Sequence, residues 1–204
     1  MEDGVQRLGL TLPEGAVDAL LAYLAMLVKW NQAYNLTAVR DPAEMVTRHL
    51  LDSLAVAPHV RGERIIDVGT GAGLPGIPLA LTFPGRQFVL LDSNSKKTRF
   101  LVQARAELGL ANIEVLHARV EQHRPQMGYD CVISRAYASI ADILSSSGHL
   151  LAPGGELLAM KGAKPEQELA TLPSSWYLQE TIALQVPGLE QEQRHLLRIV
   201  PAQA

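Results

Sequence analysis

Between Glu14 and Trp30 the apolar residues Val17, Leu20, Leu21, Leu24, Leu27 and Val28 recur at three- and four-residue spacing. That period places them on one face of an amphipathic helix. A polar stretch, Asn31 to Thr37, follows, and then Asp41-Pro42-Ala43-Glu44. An aspartate cap, a proline at the first helical position and a glutamate three beyond the cap predict a second helix, carrying Met45 to Val60. It should end near Pro58 and Gly62. Beyond Arg61 short apolar runs alternate with helical stretches. Ile65–Val68, Phe88–Leu91, Ile113–Leu116, Asp130–Ile133 and Glu156–Met160 read as five buried strands. Helices are expected around Pro75–Thr82, Ser95–Leu108, Val120–Arg124 and Ala138–Leu150. Strands alternating with helices predict an α/β fold with a mostly parallel sheet and right-handed crossovers. Two further strand-like runs, Thr181–Val186 and His195–Val200, predict a C-terminal antiparallel hairpin. The expected organisation is one domain, with an N-terminal helical cap over 1–61 and a Rossmann-like core over 62–204.

Composition narrows the class. Of 204 residues, 48% are apolar and 19% charged, the balance of a globular chain and not of a disordered one. Net charge is −3 and aromatics are 5%, so indiscriminate coating of nucleic acid is disfavoured. An RNA partner would have to be met by a local basic patch. The single cysteine, Cys131, gives neither an internal disulfide nor a cysteine-based zinc site, and no metal is expected. Neither a signal peptide at Met1–Gly9 nor a membrane-length apolar run is visible, which predicts a cytoplasmic protein without a membrane partner.

The densest chemical signal is Asp67-Val68-Gly69-Thr70-Gly71-Ala72-Gly73-Leu74-Pro75-Gly76, directly after the first strand and before a helix. Glycines let the chain turn sharply and bring the bare N–H groups of Gly69, Thr70 and Gly71 against a ligand. Gly71 to Gly76 formally matches the dinucleotide pattern G-x-G-x-x-G. The tighter Gly69-x-Gly71-x-Gly73, with Asp67 two residues before it, looks like the turn of S-adenosylmethionine enzymes. An acid there suits a cofactor with a sulfonium, an ammonium and no phosphate. Asp92 ends the second strand, 19 residues after Gly73, where a carboxylate can accept both ribose hydroxyls. The bland alternatives are a tight structural turn and a helix cap. Val120 and Glu121, just past the third strand, become cofactor candidates, and Glu121 could accept from the adenine amino group. Glu121 could equally be a solvated helix start.

Acceptor signatures of other methyl-transfer chemistries are missing. No Asn/Asp-Pro-Pro-aromatic run follows the fourth strand, and Cys131 lies inside that strand, where a small buried side chain is the better reading. Ser134-Arg135-Ala136-Tyr137 stands where an acceptor would arrive. The Arg135 guanidinium could hold a guanine edge, a phosphate or the cofactor carboxylate, or simply pair with an aspartate. Positive charge is concentrated locally in Arg48-His49, in Lys96, Lys97 and Arg99, in Lys161, and in Arg194-His195. These are the candidate RNA contacts, against the plain alternative of solvated helix faces. His49 and Asp52, three apart on one helix, are expected to bond each other.

Six separated motifs carry a family resemblance. Lys29-Trp30-Asn31 with Tyr34-Asn35-Leu36-Thr37, Arg48 to Ser53, Asp67 to Gly76, Leu91-Asp92-Ser93 with Lys96 to Leu101, Ser134-Arg135-Ala136 with Met160-Lys161-Gly162, and Arg194-His195-Leu196 resemble the bacterial RsmG (GidB) family. The match runs from Leu20 to Ile199. It implies a class I methyltransferase fold, S-adenosylmethionine as methyl donor, and methylation of N7 of one guanine in 16S ribosomal RNA. By the family pattern Gly69, Leu74, Val120, Glu121 and Arg135 contact the cofactor and Asp92 takes the ribose. Val120 stands where alanine is common, which should alter adenine packing without removing the site. The partner implied is small-subunit rRNA or the ribosomal particle, and a monomer is expected.

Guanine N7 carries an in-plane lone pair and no proton, so no acid–base residue is required. Arg135 and Lys161 are candidates for orienting the base or its phosphate. Three rival readings remain: a methyltransferase of this fold acting on another acceptor, a non-catalytic S-adenosylmethionine sensor, and an NAD-dependent oxidoreductase. The last lacks a Tyr-x-x-x-Lys pair, since Tyr137 is followed four later by Ala141.

Overall fold

The computed structural model describes residues 1–135 and 139–202. The expected positions Ala136 and Tyr137, and the expected helix start at Ala138, lie outside the described residues. A short helix α1 (Glu2–Arg7) precedes α2 (Ala16–Tyr34), whose buried face is Leu20, Tyr23, Leu24 and Leu27. Asp41 caps α3 (Pro42–Met45), its side chain accepting the Ala43 N–H at 2.9 Å. The helix expected to run evenly to Val60 is instead irregular. Val46–Leu51 is π-helical, α4 (Asp52–Leu54) is a single α turn, and Ala57–His59 is a 3-10 turn.

The expected strands and helices then follow in order: β1 (Arg64–Val68), α5 (Gly76–Thr82), β2 (Gln87–Asp92), α6 (Ser95–Glu107) and β3 (Ile113–His117). Next come a 3-10 turn at Val120–Gln122, β4 (Tyr129–Arg135), α7 (Ile140–Ser147) and β5 (Leu151–Lys161). A short α8 (Glu166–Ala170) that the apolar pattern does not announce precedes β6 (Trp176–Ala183) and β7 (His195–Pro201). Strand β6 starts at Trp176 rather than Thr181, because its half-exposed edge position does not demand a continuous apolar run.

The seven strands form one sheet in the order β3-β2-β1-β4-β5-β7-β6. β3 to β5 are parallel, while β7 pairs antiparallel with both β5 and β6, giving the expected terminal hairpin. Alternation along the strands feeds two apolar layers. Ile65, Phe88, Leu90, Cys131 and Ile133 face Tyr23, Leu27, Ile77, Phe100 and Leu101 of α2, α5 and α6. Ile66, Val68, Val89, Leu91 and Val132 face Ile140, Ile143 and Leu144 of α7. The N-terminal helices therefore share a core with the sheet. At the sheet's opposite end Arg198 is 1% exposed and pairs with Glu156 and, at 3.3 Å, with Glu180. A buried guanidinium needs such partners to offset its lost hydration. No helix among the described residues is long and apolar enough to cross a membrane.

Candidate functional site

Strand order reverses between β1 and β4, so connections leave to opposite sides and a crevice opens at their carboxyl ends. Two cavities flank that reversal. On the β1-β2-β3 side a cavity of about 320 Å³ is lined by Gly69, Leu91, Asp92, Ser93, Lys97, Arg119, Val120 and Glu121, among others. On the β4-β5-β7 side a cavity of about 450 Å³ is lined by Arg48, His49, Asp52, Arg135, Lys161, Arg194 and His195, with Met160 and Leu184 as apolar wall.

The glycine turn is built from both ends. The N–H groups of Gly69 and Thr70 donate to the Leu91 carbonyl at 2.9 and 3.2 Å, tying the turn to β2. Gly69, Gly71 and Gly73 all have positive φ, the region that side chains with a Cβ rarely enter. Asp67 is fully buried beneath the turn, and its Oδ2 accepts from Thr70 Oγ1 at 2.6 Å and from the Gly76 N–H at 2.8 Å. A Cβ on Gly76 would lie 2.2 Å from Leu90 Cδ2, so glycine is needed for this approach. Tyr23 of α2 donates its hydroxyl to the Ala72 carbonyl at 2.6 Å. Nothing in the amphipathic pattern distinguishes Tyr23 from a plain core residue; a phenol on a buried helix face needing a partner is the only hint.

Asp67 Oδ1 is buried without a hydrogen-bond partner. Burial pushes the Asp67 carboxyl up to about 6, against the opposing hydrogen bonds from Thr70 and Gly76. Asp92 is buried at the lip of the first cavity. Its Oδ2 accepts the Gly71 N–H at 2.9 Å and its Oδ1 the Asn94 N–H at 2.8 Å. The cap of α6 is Asn94, not Asp92. Lys97 Nζ stands 3.8 Å from Asp92 Oδ2.

Of the expected cofactor residues, Gly69, Asp92, Val120 and Glu121 meet at the first cavity, and Gly71 borders it through Asp92. Thr70 and Leu74 are buried in the turn and do not line it. Arg135 lines the second cavity, where its Nη1 donates to the Arg48 carbonyl at 3.0 Å and to Asp52 Oδ2 at 3.2 Å. Ser93, Lys97 and Arg119 join the first cavity unannounced as cofactor contacts, although all three sit at strand carboxyl ends or one helical turn beyond.

Of the expected RNA residues, Arg48, His49, Lys161, Arg194 and His195 converge on the second cavity. Lys97 belongs to the first cavity, and Lys96 and Arg99 are exposed on α6. The expected His49–Asp52 bond does not form. The π-helical turn sends His49 Nε2 to Thr37 Oγ1 at 2.8 Å, while Asp52 spans Arg135 and Arg194. Burial, with Arg135 nearby, lowers His49 to about 4 and keeps it neutral near neutrality. Every cation of this cavity has a carboxylate: Arg48 with Glu192, Arg135 and Arg194 with Asp52, and Lys161 with Glu168 at 3.3 Å. No cluster of metal-ligating side chains occurs among the described residues.

The fold is shared with solved proteins of low sequence identity, a methyltransferase among them. One from Thiobacillus denitrificans, with S-adenosyl-L-homocysteine bound, superposes with a TM-score of 0.57 at 13% identity, covering 85% of this chain and 96% of that one. A protein of the NADB-Rossmann superfamily from Streptococcus agalactiae reaches 0.61 at 17% identity, covering 75% and 68%. Sequence relatives are far nearer. The ribosomal RNA small subunit methyltransferase G of Ectopseudomonas mendocina is 56% identical, covering 95% of this chain and 91% of the relative. That of Nitrosococcus oceani is 51% identical over 100% and 95%. The family described as rRNA small subunit methyltransferase G matches residues 16–197. With the sheet, the glycine turn and both flanking cavities in place, the chain belongs to the rRNA small subunit methyltransferase G family.

Proposed function

We propose that the protein transfers a methyl group from S-adenosylmethionine to N7 of a specific guanine in 16S rRNA. One observation carries the reading: a polar, carboxylate-bearing cavity and a basic cavity lie side by side across the strand-order reversal. The first has the donor set a sulfonium nucleoside calls for. Asp92 keeps free lone pairs for ribose hydroxyls, Val120 and Leu91 give an apolar floor for adenine, and Glu121 can accept from its amino group. Asp67 Oδ1, buried and unpartnered, supports a cationic ligand above the turn.

S-adenosylmethionine supplies the electrophilic methyl group. The protein's own residues bind, orient and exclude water. Guanine N7 has no proton to lose, so the chain needs no general base. Arg135 is fixed by Asp52 and the Arg48 carbonyl, and Lys161 by Glu168; both face the second cavity as preorganised donors toward guanine O6 or its phosphate. Neutral His49 adds no repulsion toward an incoming base and helps hold the 37–49 segment through Thr37.

The test is transfer of a labelled methyl group to small ribosomal subunits from a strain lacking the protein, read by chemical cleavage at N7-methylguanine. A single labelled guanine is expected. Label on protein, on another rRNA atom or nowhere refutes the reading. Naked rRNA run in parallel tells whether particle structure is needed.

A further inference from the structure

The cations of the second cavity are all neutralised internally, but their carboxylates are not equivalent. Asp52 is 5% exposed and bridges two guanidiniums, so it cannot leave without stranding Arg135. Glu168 also accepts the Ile140 N–H at 2.6 Å, which fixes it to the start of α7. Glu192 differs. It lies between β6 and β7, its side chain is 36% exposed, and its only side-chain partners among the described residues are arginines. Arg48 grips it with both terminal nitrogens, Nη1 to Oε2 at 3.1 Å and Nη2 to Oε1 at 2.6 Å. Arg194 Nη2 adds a third bond to Oε2 at 2.9 Å, while Arg194 Nε stays on Asp52.

A two-pronged guanidinium plus a second guanidinium on one oxygen is the arrangement that takes a phosphate as readily as a carboxylate. Both anions carry one charge here, so exchanging them leaves the arginines satisfied. We propose that Arg48 and Arg194 form the seat of one RNA backbone phosphodiester, and that the Glu192 carboxylate occupies this seat in the free protein. RNA binding then displaces Glu192 into solvent, where water hydrates its carboxylate, while both arginines keep an anionic partner. The exchange lets a chain of net charge −3 present a phosphate site without an open basic surface. It therefore disfavours stray polyanions that cannot also fill the adjoining cavity. This inference rests on the proposed RNA substrate.

The test uses E192Q, which keeps the side-chain shape and removes its charge. Small subunits from a strain lacking the protein are titrated with wild-type and variant enzyme, without cofactor. E192Q is expected to bind about 3- to 10-fold tighter, since a competing anion is gone. R48A/E192Q should show no gain over R48A. Binding by E192Q equal to or weaker than wild type overturns the proposal and leaves Glu192 a clamp on its loop. Unchanged S-adenosylmethionine affinity serves as the folding control, and E192D, which retracts the carboxylate, is the second variant and should also bind more tightly. If wild type binds but transfers no methyl group, the proposed function fails, and the binding comparison still decides the phosphate seat.

Discussion

Asp92 Oδ2 accepts the backbone N–H of Gly71 at 2.9 Å, so the residue proposed to take the ribose also holds the glycine turn in shape. Its other oxygen holds Asn94, the cap of α6. One carboxylate thus fixes the first cavity's wall and lip together. Replacing it removes charge-assisted bonds worth about 1.5–3 kcal/mol each. D92A should lower S-adenosylmethionine affinity about 10- to 100-fold in a calorimetric titration, and D92N less. Wild-type affinity in D92A would show that the ribose is held elsewhere.

Glycines of the same turn should fail in different ways. A Cβ on Gly73 would sit 2.6 Å from Ile77 Cδ1 and 2.8 Å from Leu101 Cδ2. G73A should therefore destabilise folding by about 1–3 kcal/mol in urea titrations. At Gly71 the nearest atoms are 3.9 Å and 4.0 Å away, leaving only the strain of φ +62°, about 1–2 kcal/mol. G71D should stay folded but lose cofactor binding, because its carboxylate enters the site beside Asp92. Retained binding in G71D would make the turn purely structural.

Two buried groups give opposite acid responses. Asp67 is raised by burial to about 6, so its contribution to stability is fully present below its unfolded pKa and is lost as pH rises through about 6. His49 is lowered to about 4, so its contribution is present above its unfolded value of 6.5 and is lost as pH falls toward about 4. Urea midpoints compared at about pH 5 and about pH 7 should fall more steeply with acid in D67N and less steeply in H49N. For binding, ionised Asp67 favours a cationic ligand. Cofactor affinity should rise through about pH 6 in wild type and flatten in D67N. Identical pH profiles for the two proteins would remove Asp67 from the electrostatics of the site.

Asp52 is shared by Arg135 and Arg194, which makes the three substitutions unequal. D52A strands Arg135 and leaves Arg194 to Glu192 alone. It should cost about 3 kcal/mol of stability, the lower end for breaking a buried pair, because both guanidiniums stay partly exposed. R135A leaves Asp52 with Arg194 and should spare the fold. Its effect belongs to catalysis, about 100-fold in single-turnover methyl transfer, the scale of one misplaced orienting group. K161A should act likewise. Unchanged single-turnover rates in both variants would exclude Arg135 and Lys161 as orienting groups.

The parallel sheet was legible because the central strands, Ile65–Val68 and Phe88–Leu91 among them, are buried on both faces and must read as apolar runs, while the edge strand β3 keeps only part of that pattern. The first cavity was legible for the same reason: Gly69, Asp92, Val120 and Glu121 sit at strand ends, whose spatial order follows from chain order. The second cavity joins Arg48, Arg135, Lys161 and Arg194 from four distant elements, and only the π-helical turn decides where Arg48 and His49 point. No periodicity encodes that. Nor could spacing show that Glu192 lies on Arg48, a contact made across 144 residues of chain. Spacing is equally silent on Arg198, between Leu197 and Ile199, which is buried against Glu156 of the neighbouring strand, two residues along from its cross-strand partner Leu158.

Cys131 is the chain's only thiol and is wholly buried in β4, between β1 and β5. Burial also raises its pKa and suppresses the reactive thiolate. A thiol reagent can reach it only when the centre of the sheet parts. The protein thus carries an intrinsic stopwatch for its own opening, whose labelling rate times the loosening of the central strands without any engineered probe.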